Sequence, residues 1–182
     1  GVQIADPFSM NNSIRGNSFA HNAELAIELG QDGPTPNDPG DVDSGANYLQ
    51  NSALIDATKT GLDAGSGQVD ISYSVDSNLV AASYPLVVDF YRQGLDGSEP
   101  DLWLGADVYA AADAGLVRDF PMMPAALLSE ADAIMAIVTD SAGNSSEVGK
   151  AVPLPEPGVA LTITFAIPGI IGLARRRDNP NG

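Results

Sequence analysis

The chain contains no cysteine, a single histidine (His21), a single tryptophan (Trp103) and only eight lysines and arginines among its 182 residues. Without cysteine there are no disulfides, no thiolate nucleophile and no cysteine-built metal site. One histidine without cysteine leaves neither the ligand set of a structural zinc nor the base of a catalytic triad with an identifiable partner. The shortage of basic residues against 24 Asp and Glu gives a formal charge of −16. A body this acidic repels nucleic acid and anionic membrane surfaces. It suits solubility, divalent cations or a hydrated polysaccharide matrix. No N-terminal signal peptide is visible; the chain opens Gly1-Val2-Gln3-Ile4.

Charge is also missing locally. From Val159 to Ala174 no residue is charged, and the run ends in Arg175, Arg176 and Arg177, three of the eight basic residues. As a helix rising ~1.5 Å per residue, this run spans roughly 24 Å, slightly short of a hydrocarbon core of about 30 Å. Leu154 and the snorkelling arginine stems make up part of the difference. Pro168-Gly169 would kink the helix, which membrane spans tolerate. The arginines would hold their end in the cytoplasm and leave the body outside. The expectation is a single C-terminal transmembrane helix with an arginine stop-transfer cluster. The alternative, a buried core segment, fits poorly with three adjacent arginines followed by Asp178-Asn179-Pro180-Asn181-Gly182.

The motif Pro155-Glu156-Pro157-Gly158, the uncharged run and the arginine cluster stand in that order over residues 153–182. This segment resembles the PEP-CTERM protein-sorting signal of Gram-negative bacteria. The resemblance implies export, recognition by an exosortase-type membrane transpeptidase, cleavage near the motif, and association with extracellular polysaccharide. Leu154-Pro155-Glu156-Pro157-Gly158 also resembles the Leu-Pro-any-Thr-Gly signal of Gram-positive sortases, but Pro157 stands where that signal needs the threonine whose carbonyl is attacked. A sorting signal requires an export signal upstream, so the chain is expected to be the C-terminal part of a longer protein.

Residues 1–30 show short aliphatic runs, Ile14 and Ala26-Ile27-Glu28-Leu29, separated by Asn and Gly at turn positions. Brief strands with asparagine corners predict the last rungs of a right-handed parallel β-helix. An irregular extension with one hairpin is the alternative. Residues 31–51 are rich in Pro, Gly, Asp and Asn and read as the linker between two structured regions. The run from Ile27-Glu28-Leu29-Gly30 through Asp38-Pro39-Gly40-Asp41 to Asn51 is similar to the end of the β-helix in large bacterial surface proteins. The resemblance implies an immunoglobulin-like sandwich next.

Residues 52–152 do read as all-β. Val69, Ile71, Tyr73 and Val75 alternate with polar residues, and Leu86, Val88 and Phe90 repeat the pattern. Leu102, Leu104, Ala106 and Val108 are expected on one face of a strand, with Trp103, Asp107 and Tyr109 on the other. Ala133–Val138 is apolar on both faces and reads as a central strand. Weaker strands are expected at 53–58, 115–120 and 145–151. About seven short strands punctuated by turns favour a sandwich.

Calcium is the one ligand the composition invites. Asp38, Asp41, Asp43 and Asn47 offer hard oxygen donors on one loop. The EF-hand pattern fails, because Gly45 holds the fifth position after Asp41 and Ser52 the twelfth. The competing reading is a solvated acidic linker with Asx-turns. Asp140, Asn144 and Glu147 form a second oxygen cluster, or simply a tight hairpin. Glu24 and Glu28, near His21, could mimic the paired carboxylates of a glycoside hydrolase, but alternation turns both outward. Trp103 and Tyr109, with Tyr91 beside them, would stack on sugar rings if exposed and are core aromatics if buried.

Three functions follow. The first is a non-enzymatic, exported envelope or matrix protein with a structural or adhesive role. The second is the C-terminal part of a β-helix polysaccharide lyase or hydrolase, and the third is a calcium-stabilised binding module. No cofactor other than calcium is expected. Processing is expected to remove the tail, so the intact mass of envelope material should lack Arg175–Arg177; a mature species retaining them would count against cleavage.

Overall fold

The computed structural model describes residues 1–95, 97 and 99–155. Its strands are β1 (Val2–Ile4), β2 (Ile27–Leu29), β3 (Leu54–Ile55), β4 (Gly61–Asp63), β5 (Gln68–Ser74), β6 (Leu86–Gln93), β7 (Pro100–Tyr109), β8 (Arg118–Met122), β9 (Ala133–Thr139) and β10 (Val152–Pro153). Two short 3₁₀ turns, Ala46–Leu49 and Ala111–Asp113, are the only helical elements among the described residues.

One antiparallel sheet runs β10-β9-β6-β7. In the other, β3 and β4 follow one another along one edge of β5, and β8 pairs with its opposite edge. The two sheets pack face to face. Val69, Ile71, Tyr73 and Val75 point inward, as their alternation predicts, and meet Leu86, Val88, Phe90, Ile134, Ala136 and Val138 from the other sheet. Phe90 lies edge-on to Tyr73 with ring centroids 5.4 Å apart. Where the sheets open, a polar plug closes the core. The Tyr73 hydroxyl donates to Asp107 Oδ2 (2.8 Å), and Arg118 grips the same carboxylate. Burial and the Asp107 contact push the Tyr73 hydroxyl well above the ordinary tyrosine range.

Strand β7 departs from simple alternation. The register slips between Phe90 and Tyr91, which face Gly105 and Trp103, so Leu104 is an extra residue. This β-bulge reverses the facing of everything beyond it. Leu104, Asp107 and Tyr109 therefore share the buried side, while Trp103 and Val108 are exposed. Gly105 makes room at the bulge, since a Cβ there would lie 2.7 Å from the Met122 sulfur.

The expected fold class is all-β, and β-strand does dominate, but two of its parts are corrected. The N-terminal residues do not form β-helix rungs. Strands β1 and β2 pair in parallel with each other, Val2 opposite Ile27, and no sheet closes into a helix. Their inward side chains Ile4, Ile27 and Leu29, with Ile14 and Phe19, pack on Tyr91 and Ile137 from the outer face of the middle sheet. A short aliphatic strand needs an apolar surface to cover it, and the sandwich supplies one where a neighbouring rung was expected. The transmembrane helix likewise forms no part of the described fold. No helix there is long and apolar enough to cross a membrane, and Val159–Ala174 lies outside the described residues.

The middle sheet is thus sealed on both faces. Ile137 sits fully buried under the N-terminal layer. Replacing it by alanine should cost about 2–5 kcal/mol in denaturant unfolding; a loss below about 1 kcal/mol, far short of that range, would mean that the N-terminal layer does not seal this face.

Candidate metal centre

The acidic loop does not pair into a sheet, so its backbone groups need partners from elsewhere. Asn51 provides most of them. Its Nδ2 donates to the carbonyls of Asp38 (2.7 Å) and Asp76 (2.6 Å), and its Oδ1 accepts from the Asp38 N–H (3.0 Å). This clamp folds the loop back, and Gly40 (φ 78°) and Asp41 (φ 62°) turn it in the left-handed region. Asp38, Asp41 and Asp43 each then offer a ligand atom within 4.8 Å of the others.

The three carboxylates are not equivalent. Asp41 is almost fully buried and saturated with donors. Its Oδ1 accepts from the Asn51 N–H (2.9 Å), and its Oδ2 from Gln50 Nε2 (2.6 Å) and the Ser77 hydroxyl (2.6 Å). Asp38 accepts from the Val42 N–H through Oδ2 (3.1 Å). Asp38 Oδ1 and Asp43 Oδ1 are buried and have no hydrogen-bond partner. A buried carboxylate oxygen without a partner is costly, and a second negative charge close by raises that cost. Burial pushes Asp41 up to about 6 against its hydrogen bonds, with Asp38 and Asp43 adding to the rise. Burial, reinforced by Asp38, also pushes Asp43 up. A hard divalent cation would relieve both problems, because it accepts oxygen ligands and cancels two charges.

Asn47, the fourth expected ligand, does not join this group. The 3₁₀ turn it occupies winds left-handed, with φ of 48°, 57° and 51° at Asn47, Tyr48 and Leu49. Left-handed helical backbone costs L-residues roughly 1–2 kcal/mol each. Gly45 admits the turn, since a Cβ there would lie 2.8 Å from Leu49 Cγ. The turn carries the Asn47 amide away from the acids into a fully buried position. There Oδ1 accepts from the Asn12 N–H (3.0 Å), and Nδ2 donates to the carbonyls of Asn12 (2.8 Å) and Ser145 (3.0 Å).

The other candidates are spread across the molecule. Asp140 accepts from the Asn144 N–H (2.8 Å) and the Ser83 N–H (3.2 Å). Glu147 accepts from the N–H groups of Leu29 (2.9 Å) and Thr35 (2.8 Å). The second oxygen cluster is therefore hairpin and anchor. His21 and Glu24 are exposed, and Glu28 bonds Gln3 and the Gly33 N–H. Trp103 is 40% exposed and its indole N–H donates to Asp89, whereas Tyr109 is fully buried and donates to the Leu116 carbonyl. The β7 bulge puts the two rings on opposite faces, so they form no common stacking surface. Tyr91 is buried, with its hydroxyl accepting from the Gly16 N–H (2.8 Å). The sorting residues Glu156, Pro157, Gly158 and Arg175–Arg177 lie outside the described residues; Pro155 is described, and its carbonyl accepts from the Leu62 N–H (3.2 Å).

No family model and no curated protein matches the chain. The chemistry of the loop therefore stands on its own residues. Sequence reasoning misses Gln50, Asn51 and Ser77. The first two adjoin the loop and could have been found as neighbours, but Ser77 lies 36 residues from Asp41 and carries no local signal.

Asp41 titrates near 6 when folded and near the ordinary aspartate value of about 4 when unfolded. The folded state holds this proton more tightly. Its contribution is full below pH ~4 and lost as pH rises through about 6. In EDTA, folding free energy should fall by on the order of 2–3 kcal/mol across that window, and Asp41→Asn should flatten the slope. An unchanged slope in the variant would assign it to other groups.

Proposed function

We propose that this chain is a calcium-stabilised structural module of an exported protein, held at the cell envelope or in an extracellular matrix. The observation that carries the reading is the pair of buried, unpartnered oxygens, Asp38 Oδ1 and Asp43 Oδ1, beside Asp41. Three carboxylates on a clamped loop suit calcium, whose coordination shell is flexible and accepts carboxylate and carbonyl oxygens together. Magnesium demands a stricter octahedron and gives up its water reluctantly. Extracellular calcium modules work at about 10⁻⁴–10⁻³ M. A partial site of three acidic ligands belongs in that range.

The export part of the reading rests on Pro155-Glu156-Pro157-Gly158, the uncharged run and Arg175–Arg177. Its partners would be an exosortase-type transpeptidase during sorting and acidic or neutral polysaccharide afterwards. The boundary favours this arrangement. Leu154 is fully buried in the sandwich core, and the motif starts at the next residue. Cleavage after the motif would leave the described fold whole.

At 10 mM calcium, a dissociation constant of 0.1–1 mM stabilises by about 1.4–2.7 kcal/mol. That corresponds to a rise in melting temperature of roughly 3–10 °C for a domain of this size. Magnesium at the same concentration should give much less, and Asp43→Asn should lose most of the calcium effect. Equal shifts with both ions, or no shift with calcium, would remove the assignment.

A further inference from the structure

The metal loop is joined by a short route to the seam between the N-terminal layer and the sandwich. Gln50 and Asn51, which hold Asp41 and Asp38, directly follow the left-handed turn at Asn47–Leu49. Asn47 at the head of that turn ties Asn12 of the N-terminal layer to Ser145 of the sandwich. Its own N–H donates to the Ser9 carbonyl (2.9 Å). The same seam holds the Asn11 N–H on Asn144 Oδ1 (2.8 Å) and the Ile14 N–H on the Ser145 hydroxyl (2.8 Å). The loop also holds the other side, since Ser77 and Asn78 from the loop before β6 bond Asp41 and the Gly40 carbonyl. The acids therefore sit at one end of a continuous chain of bonds, and the seam at the other.

A left-handed run of three non-glycine residues persists only where its surroundings hold it. The holds on this one are Asn47 in the seam and Gln50-Asn51 on the acids. Without a cation, the mutual repulsion of Asp38, Asp41 and Asp43 works to open the loop that Gln50 and Asn51 clamp. With a cation, the clamp closes and the turn is fixed at both ends.

We infer that calcium bound at Asp38, Asp41 and Asp43 locks the N-terminal layer onto the sandwich through the Asn47 turn, so that the ion sets the stiffness of the seam. This inference rests on the calcium reading above and adds what the ion regulates. Residues 1–29 pair with the sandwich by no strand ladder, so the seam is the part of the molecule that can open while the sandwich stays folded. The partner that benefits is whatever polypeptide joins the module at its N-terminal side, because a stiff seam transmits orientation and a loose one does not.

The test is amide hydrogen exchange on the full chain, in 10 mM calcium and in EDTA, read residue by residue. If the opening that exposes the seam requires release of the ion, exchange at Asn12, Ile14 and Asn47 should slow about 10–100-fold in calcium, the factor set by a dissociation constant of 0.1–1 mM. Protection confined to residues 38–51 would overturn the inference while leaving the metal site standing. No calcium effect at any amide would remove both. In Asn47→Ala, calcium should still protect Val42 and Asn51 but no longer Asn12; continued protection of Asn12 would show that the coupling does not run through Asn47. The wild-type comparison decides the matter even if that variant fails to fold.

Discussion

Strands β6 and β9 have no wet face. Leu86, Val88, Phe90, Ile134, Ala136 and Val138 fill the space between the sheets, while Tyr91 and Ile137 turn to the opposite side. That second side needs a cover, and residues 1–29 are the cover. They reach it as a largely irregular strip, with one parallel strand pair of three residues on each side. A strip of this kind brings buried N–H groups that no ladder can satisfy. Acceptors must therefore come from side chains on the sheet and its hairpins, and they do: Asn144, Ser145, Glu147, Tyr91 and Glu99 each accept from the strip. The many buried Asn, Asp, Glu and Ser residues follow from this one need. Arg15 adds a bidentate pair with buried Asp89, and the Trp103 indole completes that carboxylate's shell.

Two kinds of glue thus hold two halves. The space between the sheets is closed by aliphatic and aromatic burial, with Tyr73, Asp107 and Arg118 as its polar plug. The outer seam combines a smaller apolar cluster with a dense set of directional bonds. Burial is tolerant of small displacements, whereas a hydrogen bond to a buried N–H weakens steeply once its geometry is lost. A seam of the second kind is specific in register and responsive to any group that moves its anchors. With a formal charge of −16, the chain also carries general self-repulsion that favours opening at its weakest join.

Alternation along β5, β6 and β9 was legible from sequence, because each strand repeats its period without interruption. Strand β7 was not, since one bulged residue at Leu104 inverts the facing of Asp107 and Tyr109 relative to Trp103. Pattern reading assumes constant phase and has no term for an inserted residue. The N-terminal strands were found at Ala26–Leu29, but their partner was misassigned. A short aliphatic run says that one face is buried and does not say by what; a rung and a sheet cover leave the same signature. The metal loop was read correctly at Asp38, Asp41 and Asp43 and wrongly at Asn47. Spacing along an irregular loop places donors near one another only while the chain stays right-handed, and three left-handed residues turned the amide into the seam. Asn47, read as a ligand, is instead the residue that connects the ligands to everything else.

That reassignment bears on why an acidic loop sits at this place in the fold. A cation site on a free surface loop would order the loop and little more. Here the loop is pinned from both directions, by Ser77 and Asn78 on the sandwich side and by the Asn47 turn on the seam side. Asp41, the most deeply buried of the three acids, touches both sets of pins through its two oxygens. Charge that accumulates on Asp41 therefore strains both anchors at once, and charge that is neutralised there relaxes both. The cost of burying three carboxylates together serves the molecule only if the ion that offsets it also fastens the two halves. The bonding pattern places the acids at the one position where it would.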